Sequence, residues 1–161
     1  MSGNNTALPR FEPVDVEGSE RTPLFVDTNA IVAYFYRRSN KHEEVRGVIE
    51  AIGSGELSYY PLLSNIYVLD EVVSILLSRA DAGIAHEAFD RALEEETFRV
   101  LDVEPGLVDR SVEQFRTYDD QEISLTDHVI AQQARDYSVD HIFTYDTDFR
   151  TLGFTVIPHE E

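Results

Sequence analysis

Leu24-Phe25-Val26-Asp27-Thr28-Asn29 is the stretch on which the fold turns: an apolar run that ends abruptly in an acid, a hydroxyl and an amide. Three consecutive apolar residues with no polar alternation suit a short strand buried on both faces. Asn29 to Arg38 follows with Ile31, Val32, Tyr34 and Phe35 on a helical face, so the fragment reads strand, turn, helix. The same alternation continues outward. A helix is expected from His42 to about Ile52, on Val45, Val48, Ile49 and Ile52, stopped by Gly53 and Gly55. Leu57 to Tyr60 reads as a strand ended by Pro61, and Leu62 to Arg79 as one long helix through Ile66, Leu69, Val73 and Leu76. Gly83 to Leu93 is expected to be helical, Phe98 to Val103 extended, and Pro105 to Phe115 helical with proline in its first position. Ser124-x-x-Asp127 has the shape of a capping box opening a helix that ends near Tyr137; strands are expected at His141 to Thr144 and Thr155 to Ile157. Strands alternating with helices predict an α/β domain with a largely parallel sheet, whose functional groups gather beyond the carboxyl ends of the strands.

The chain has 161 residues, enough for one domain that buries roughly two-thirds of its unfolded surface. Residues 1–22 are polar, carry Pro9 and Pro13 and show no sustained period; they are expected to form a flexible arm ahead of a domain at 23–161. Cysteine is absent, which excludes a disulfide framework and thiolate zinc sites. The start lacks a basic region followed by an apolar one, and no apolar run is long enough to cross a bilayer, so a soluble cytoplasmic protein without membrane partners is expected. The net charge is −18, from 31 acids against 13 bases, and Lys41 is the sole lysine. Taken alone this opposes nucleic-acid binding, which is driven by Lys and Arg releasing counterions. Acid excess with so little lysine also resembles the halophilic surfaces of proteins adapted to molar salt, where screening shortens electrostatics to a few ångströms. Read that way, the charge serves solvation, and position rather than sign must single out functional acids.

Four acids stand out by position. Asp27 ends the first strand, Glu71 lies mid-helix after Val68-Leu69-Asp70, Asp127 opens the helix after Ser124, and Asp146 follows Ile142-Phe143-Thr144-Tyr145. Each has a purely structural reading: Asp27 as a helix N-cap, Glu71 as an ion-pair partner, Asp127 as the third residue of its capping box, Asp146 to Asp148 as an Asx turn. Four carboxylates converging would repel one another without a cation. With one or two hard divalent ions, Mg²⁺ or Mn²⁺, they would suit phosphodiester displacement. His42 and the tyrosines, Tyr145 among them, read as structural. Rival chemistries lack their residues. A receiver domain needs a late lysine, and an Asp-x-Asp phosphatase motif belongs early, whereas Asp146-Thr147-Asp148 comes near the end. No P-loop and no Ser/His/Asp or Cys/His arrangement is present.

From about Leu24 to Pro158 these motifs resemble the PIN-domain ribonucleases, including the VapC-type toxins of toxin–antitoxin pairs. The resemblance rests on Val26-Asp27-Thr28-Asn29, Glu71 after its apolar stretch, Ser124-Leu125-Thr126-Asp127 with Ile130-Ala131 and Ala134, and Thr144-Tyr145-Asp146 with Asp148-Phe149. It implies an α/β/α sandwich and a metal-dependent endoribonuclease, either a toxin or an RNA-processing enzyme. It further implies Asp27, Glu71, Asp127 and Asp146 as metal ligands, with Asp148 additional or water-mediated. Asn29 and Thr144 fall where that family orients its ligand shell. Asp70 beside Glu71 leaves the helix phase to be decided. RNA is the implied substrate, with Arg37, Arg38 and Lys41 as the cluster to contact it, and an antitoxin protein and a second copy of the chain as implied partners. The alternative is a PIN-fold module that binds RNA or protein with its metal site idle.

Overall fold

The computed structural model describes residues 21–158, so all but the last two residues of the expected N-terminal arm lie outside the described residues. Twelve elements follow in order: β1 (Thr22–Val26), α1 (Thr28–Phe35), α2 (His42–Ser54), β2 (Tyr59–Asn65), α3 (Ile66–Arg79), α4 (Ala82–Glu94), β3 (Phe98–Leu101), α5 (Pro105–Thr117), α6 (Leu125–Asp136), β4 (His141–Phe143), α7 (Asp148–Thr151) and β5 (Thr155–Ile157). The five strands form one sheet in the order β3-β2-β1-β4-β5, and every neighbouring pair is parallel. Right-handed crossovers put the helices that link β1, β2 and β3 on one face. The connection from β3 to β4 reverses direction across β1 and places α5 and α6 on the other. The helix packing agrees: α3 packs on α1 and α4, while α6 packs on α5. The result is the expected α/β/α sandwich.

The core forms between these layers. Leu24, Phe25, Ile142 and Phe143 are completely buried, as a central parallel strand pair requires, and Phe149 and Val72 close on them from the helices. The reversal of strand order falls between β1 and β4, where the Asp27 N–H donates to the Phe143 carbonyl at 3.0 Å. Because the connections that leave β1 and β4 run in opposite directions, a crevice opens at their carboxyl ends, the switch point of a doubly wound sheet.

Several element boundaries differ from expectation. Pro61 does not end β2. The strand continues to Asn65, pairing Leu62 and Leu63 with Leu24 and Phe25 on one side and with Phe98 and Arg99 on the other. An apolar run buried on both faces looks the same in a strand and in a helix interior, and the start of α3 is set instead by a cap. The Asn65 Oδ1 accepts from the Val68 N–H at 2.9 Å, so the helix opens at Ile66 and not at Leu62. The first helix stops at Phe35, short of Arg38, and β3 stops at Leu101, short of Val103. Gly55 caps α2 at φ 82°, as the sequence suggested, while Gly53 stays inside the helix. The one-turn helix α7 carries no sequence period.

Candidate metal-binding site

A cavity of about 770 Å³ opens at the switch point, and its walls include Asp27, Glu71, Asp127, Asp146 and Asp148. Different elements deliver each acid. Asp27 follows β1 and serves as the N-cap of α1, its Oδ1 accepting from the Thr28 N–H at 2.7 Å. Asp127 sits in the first turn of α6, which Ser124 caps by accepting from the Asp127 N–H at 3.1 Å. Asp146 lies in the loop after β4 and accepts from the Asp148 N–H at 2.9 Å, an Asx turn that holds Asp148 at the start of α7. Asp27 thus stands as an N-cap and Asp146 in an Asx turn, Asp127 takes part in its cap through its backbone N–H, and the caps and the turn set where each carboxylate stands on the cavity wall.

Glu71 enters from α3 as one of three residues at four-residue intervals, Glu71, Ile75 and Arg79, that line the cavity. Glu71 lines the cavity wall and Asp70 does not, so the helix phase favours Glu71.

Asn29 and Thr144 tie the crevice together. The Thr144 hydroxyl has one proton, which it donates to Asp27 Oδ2 at 2.8 Å; its oxygen accepts from Asn29 Nδ2 at 3.2 Å and from the Asp146 N–H at 3.0 Å. Asn29 Oδ1 accepts from the Tyr145 N–H at 3.0 Å. One hydroxyl thus orients the Asp27 carboxylate and fixes the turn that carries Asp146.

Acids packed this closely oppose one another's ionisation. Burial, only partly offset by the bonds from Thr144 and Thr28, raises Asp27 to a pKa of about 6, with Asp146 and Glu71 adding repulsion. Burial likewise raises Asp127 to about 7, with Asp27, Asp146 and Asp148 repelling its charged form. Asp148 is also pushed up, by desolvation and by the neighbouring Asp146. One carboxylate oxygen from each of Asp127, Asp146 and Asp148 lies within 4.8 Å of the others. An all-oxygen, all-anionic donor set of this kind fits a hard divalent cation such as Mg²⁺ or Mn²⁺. Asp148, expected to play an accessory part, belongs to this tight trio, while Asp27 and Glu71 border the same cavity around it.

The expected RNA-contacting cluster divides. Lys41 lines the acidic cavity, its ammonium 4.9 Å from the centre of the Tyr145 ring. Arg37 faces a separate groove with His42, Arg46 and Arg91, and Arg38 borders neither. His42 has a structural role, its Nδ1–H donating to the Ala33 carbonyl at 2.7 Å. Two charged wall residues escaped the sequence reading, Arg79 and Glu122. The spacing of Arg79 two turns beyond Glu71 on one helix face would have revealed it.

A doubly wound parallel sheet with an acid-lined crevice at its switch point defines a class of α/β domain in which the chemistry is built from carboxylates on four separate segments. The chain belongs to the PIN domain family, whose pattern matches residues 24–155. No curated protein matches it significantly. Among solved structures it is similar to the Mycobacterium tuberculosis toxin VapC20, described as cleaving the sarcin–ricin loop, with a TM-score of 0.72 and 21% identity over 82% of this chain and 96% of that one. It is also similar to a chain of a toxin–antitoxin complex from Klebsiella pneumoniae (TM-score 0.61, 20% identity, 86% and 99% coverage). A chain of VapBC2 from Rickettsia felis, bound to a promoter DNA fragment, matches with TM-score 0.62 and 14% identity over 84% and 97% of the two chains. At these identities the likeness is one of fold.

Proposed function

We propose that this chain is a divalent-cation-dependent endoribonuclease, with a toxin role favoured by the company of its fold among toxin–antitoxin proteins. The observation that carries the reading is the convergence of Asp127, Asp146 and Asp148, bordered by Asp27 and Glu71, on one open cavity. Asp127, Asp146 and Asp148 would hold the cation, with Asp27 and Glu71 completing its surroundings. Once bound, it would supply Lewis-acid stabilisation of the charge that develops on a phosphodiester.

The chain's own residues prepare that event. Thr144 holds Asp27 in one orientation and Asn29 holds the loop after β4, so the carboxylates are aimed before substrate arrives. Burial raises Asp27 to about 6 and Asp127 to about 7, so cation uptake, which favours their ionised forms, should be accompanied by proton release. Lys41 and Arg79 give the otherwise anionic cavity two cationic walls against which phosphates could rest. An antitoxin protein and a second copy of the chain are its proposed protein partners. The idle-site reading, a module that binds RNA without cutting it, is disfavoured by the complete acid set.

The test is incubation with mixed RNA in high salt, with Mn²⁺ or Mg²⁺ and then with EDTA. Cleavage should require the cation and stop on chelation. Cleavage indifferent to EDTA, or no cleavage with any divalent ion, would overturn the proposal.

A further inference from the structure

Glu71 and Asp127 face the same cavity from α3 and α6, yet these two helices share little direct packing. The first leans on α1 and α4, the second on α5. What joins them is a pair of buried amides. Asn65, fully buried at the start of α3, donates through Nδ2 to Gln133 Oε1 at 3.0 Å. Gln133, 2% exposed on α6, donates through Nε2 to the Asp102 carbonyl beyond β3 at 2.9 Å. Among the described residues this is the side-chain hydrogen bond that connects the N-terminus of α3 to α6.

The direction of the chain is dictated at both ends. The Val68 N–H can only donate, so Asn65 must present its oxygen there and its amide nitrogen to Gln133. The Asp102 carbonyl can only accept, so Gln133 must present nitrogen there and oxygen to Asn65. Neither amide can flip without setting like against like. Buried polar pairs of this kind are expensive to leave unsatisfied and therefore select one arrangement of the elements they join. Asn65 precedes Glu71 by six residues and Gln133 follows Asp127 by six, so each amide sits under two turns from the acid on its helix.

We infer that Asn65 and Gln133 are positioning residues of the cation site: their link sets how α3 and α6 stand relative to each other and so where Glu71 meets the carboxylates of Asp127, Asp146 and Asp148. The inference rests on the cation-site reading above. A general packing role would make the amides matter for stability alone; a positioning role makes them matter for the cation.

The experiment compares Gln133→Met, which keeps the shape and removes the link, with Val156→Ala in β5, a destabilising change remote from α3 and α6. Mn²⁺ affinity by calorimetry, RNA-cleavage kinetics and melting temperature are measured for each, well below its melting point. Asn65→Asp serves as a second variant, because it keeps an oxygen for the Val68 N–H and opposes oxygen to oxygen at Gln133. The expected result is a loss of about tenfold or more in Mn²⁺ affinity and in kcat for Gln133→Met and Asn65→Asp, with KM for RNA within about twofold. Val156→Ala should lose stability only. If the link variants match Val156→Ala in Mn²⁺ affinity and kcat, the pair is ordinary core and the inference fails while the site reading stands. A wild-type protein that neither binds Mn²⁺ nor cleaves RNA would overturn both.

Discussion

Asp127 shows how a single residue can satisfy a helix and strain a site at once. Its backbone N–H completes the cap of α6, while its carboxyl is carried into a cluster where burial and three other aspartates oppose its ionisation. The consequence for stability has a definite sign. Asp27 and Asp127 have folded-state values of about 6 and about 7, above the ordinary 3.8, so the folded protein keeps protons that the unfolded chain releases. Without a cation, stability should therefore fall as pH rises from about 4 to about 7. Asp127 is partly open to solvent, so only part of its shift counts; the two groups together should make the EDTA-treated protein about 2 kcal/mol less stable at pH 8 than at pH 5, roughly 5 °C in melting temperature. Asp127→Asn should shrink that pH difference, leave the cation-free protein at least as stable at pH 8, and abolish cleavage. Thermal melts of both proteins across this range check it; because the substitution keeps the backbone N–H that bonds Ser124, a clearly destabilised Asp127→Asn protein would overturn the expectation.

At the scale of elements, the site depends on where helices start and stop. Asn65 and Ser124 cap the helices that carry Glu71 and Asp127, and Asp27 caps the helix after β1, so three of the acid-bearing segments have their entry fixed by a side-chain oxygen. At the other end of α2, Gly55 at φ 82° allows the chain to turn back toward β2. Gly55→Ala would meet no atom within 4 Å, so its penalty is conformational alone. It should cost about 1 kcal/mol, roughly 2–4 °C, without changing cation affinity. Ser124→Ala should cost a similar amount in melting temperature, but it should also weaken Mn²⁺ binding, because the first turn of α6 that frays carries Asp127, a proposed ligand. Calorimetric titration of the two variants separates a cap that only stabilises from one that also positions.

Over the whole molecule, a net charge of −18 and one lysine ask how RNA could be held. The proposed answer is salt: if the acids serve solvation in a concentrated ionic medium, affinity should fall with salt far less steeply than a protein with many phosphate contacts, each contributing about −0.7 to the logarithmic slope for single strands. Substituting Arg37, Arg38 and Lys41 together with Ser should raise KM more than it lowers kcat and leave Mn²⁺ affinity unchanged. Because Lys41 alone of the three lines the cavity, Lys41→Ser should carry most of the effect. If the triple variant matches wild type at every salt concentration, the RNA path runs over another face. Much of this molecule could be read along the chain. Asp27, Asp127 and Asp146 were visible because strand ends and helix starts leave local signatures; Glu71 stood out in its apolar stretch, but its phase against the adjacent Asp70 was left to the tertiary structure, which puts Glu71 on the cavity wall. What the chain alone determined was thus the order of elements and the acids at their ends, since caps, turns and apolar runs act over a few residues. The extension of β2 through Pro61, the placing of Arg79 and Lys41 on the wall of one cavity and the bond between Asn65 and Gln133, 68 residues apart, were decided only by the tertiary structure. Sheet pairing and helix packing choose among arrangements that are locally equivalent, and a contact between distant segments leaves no periodic trace in either.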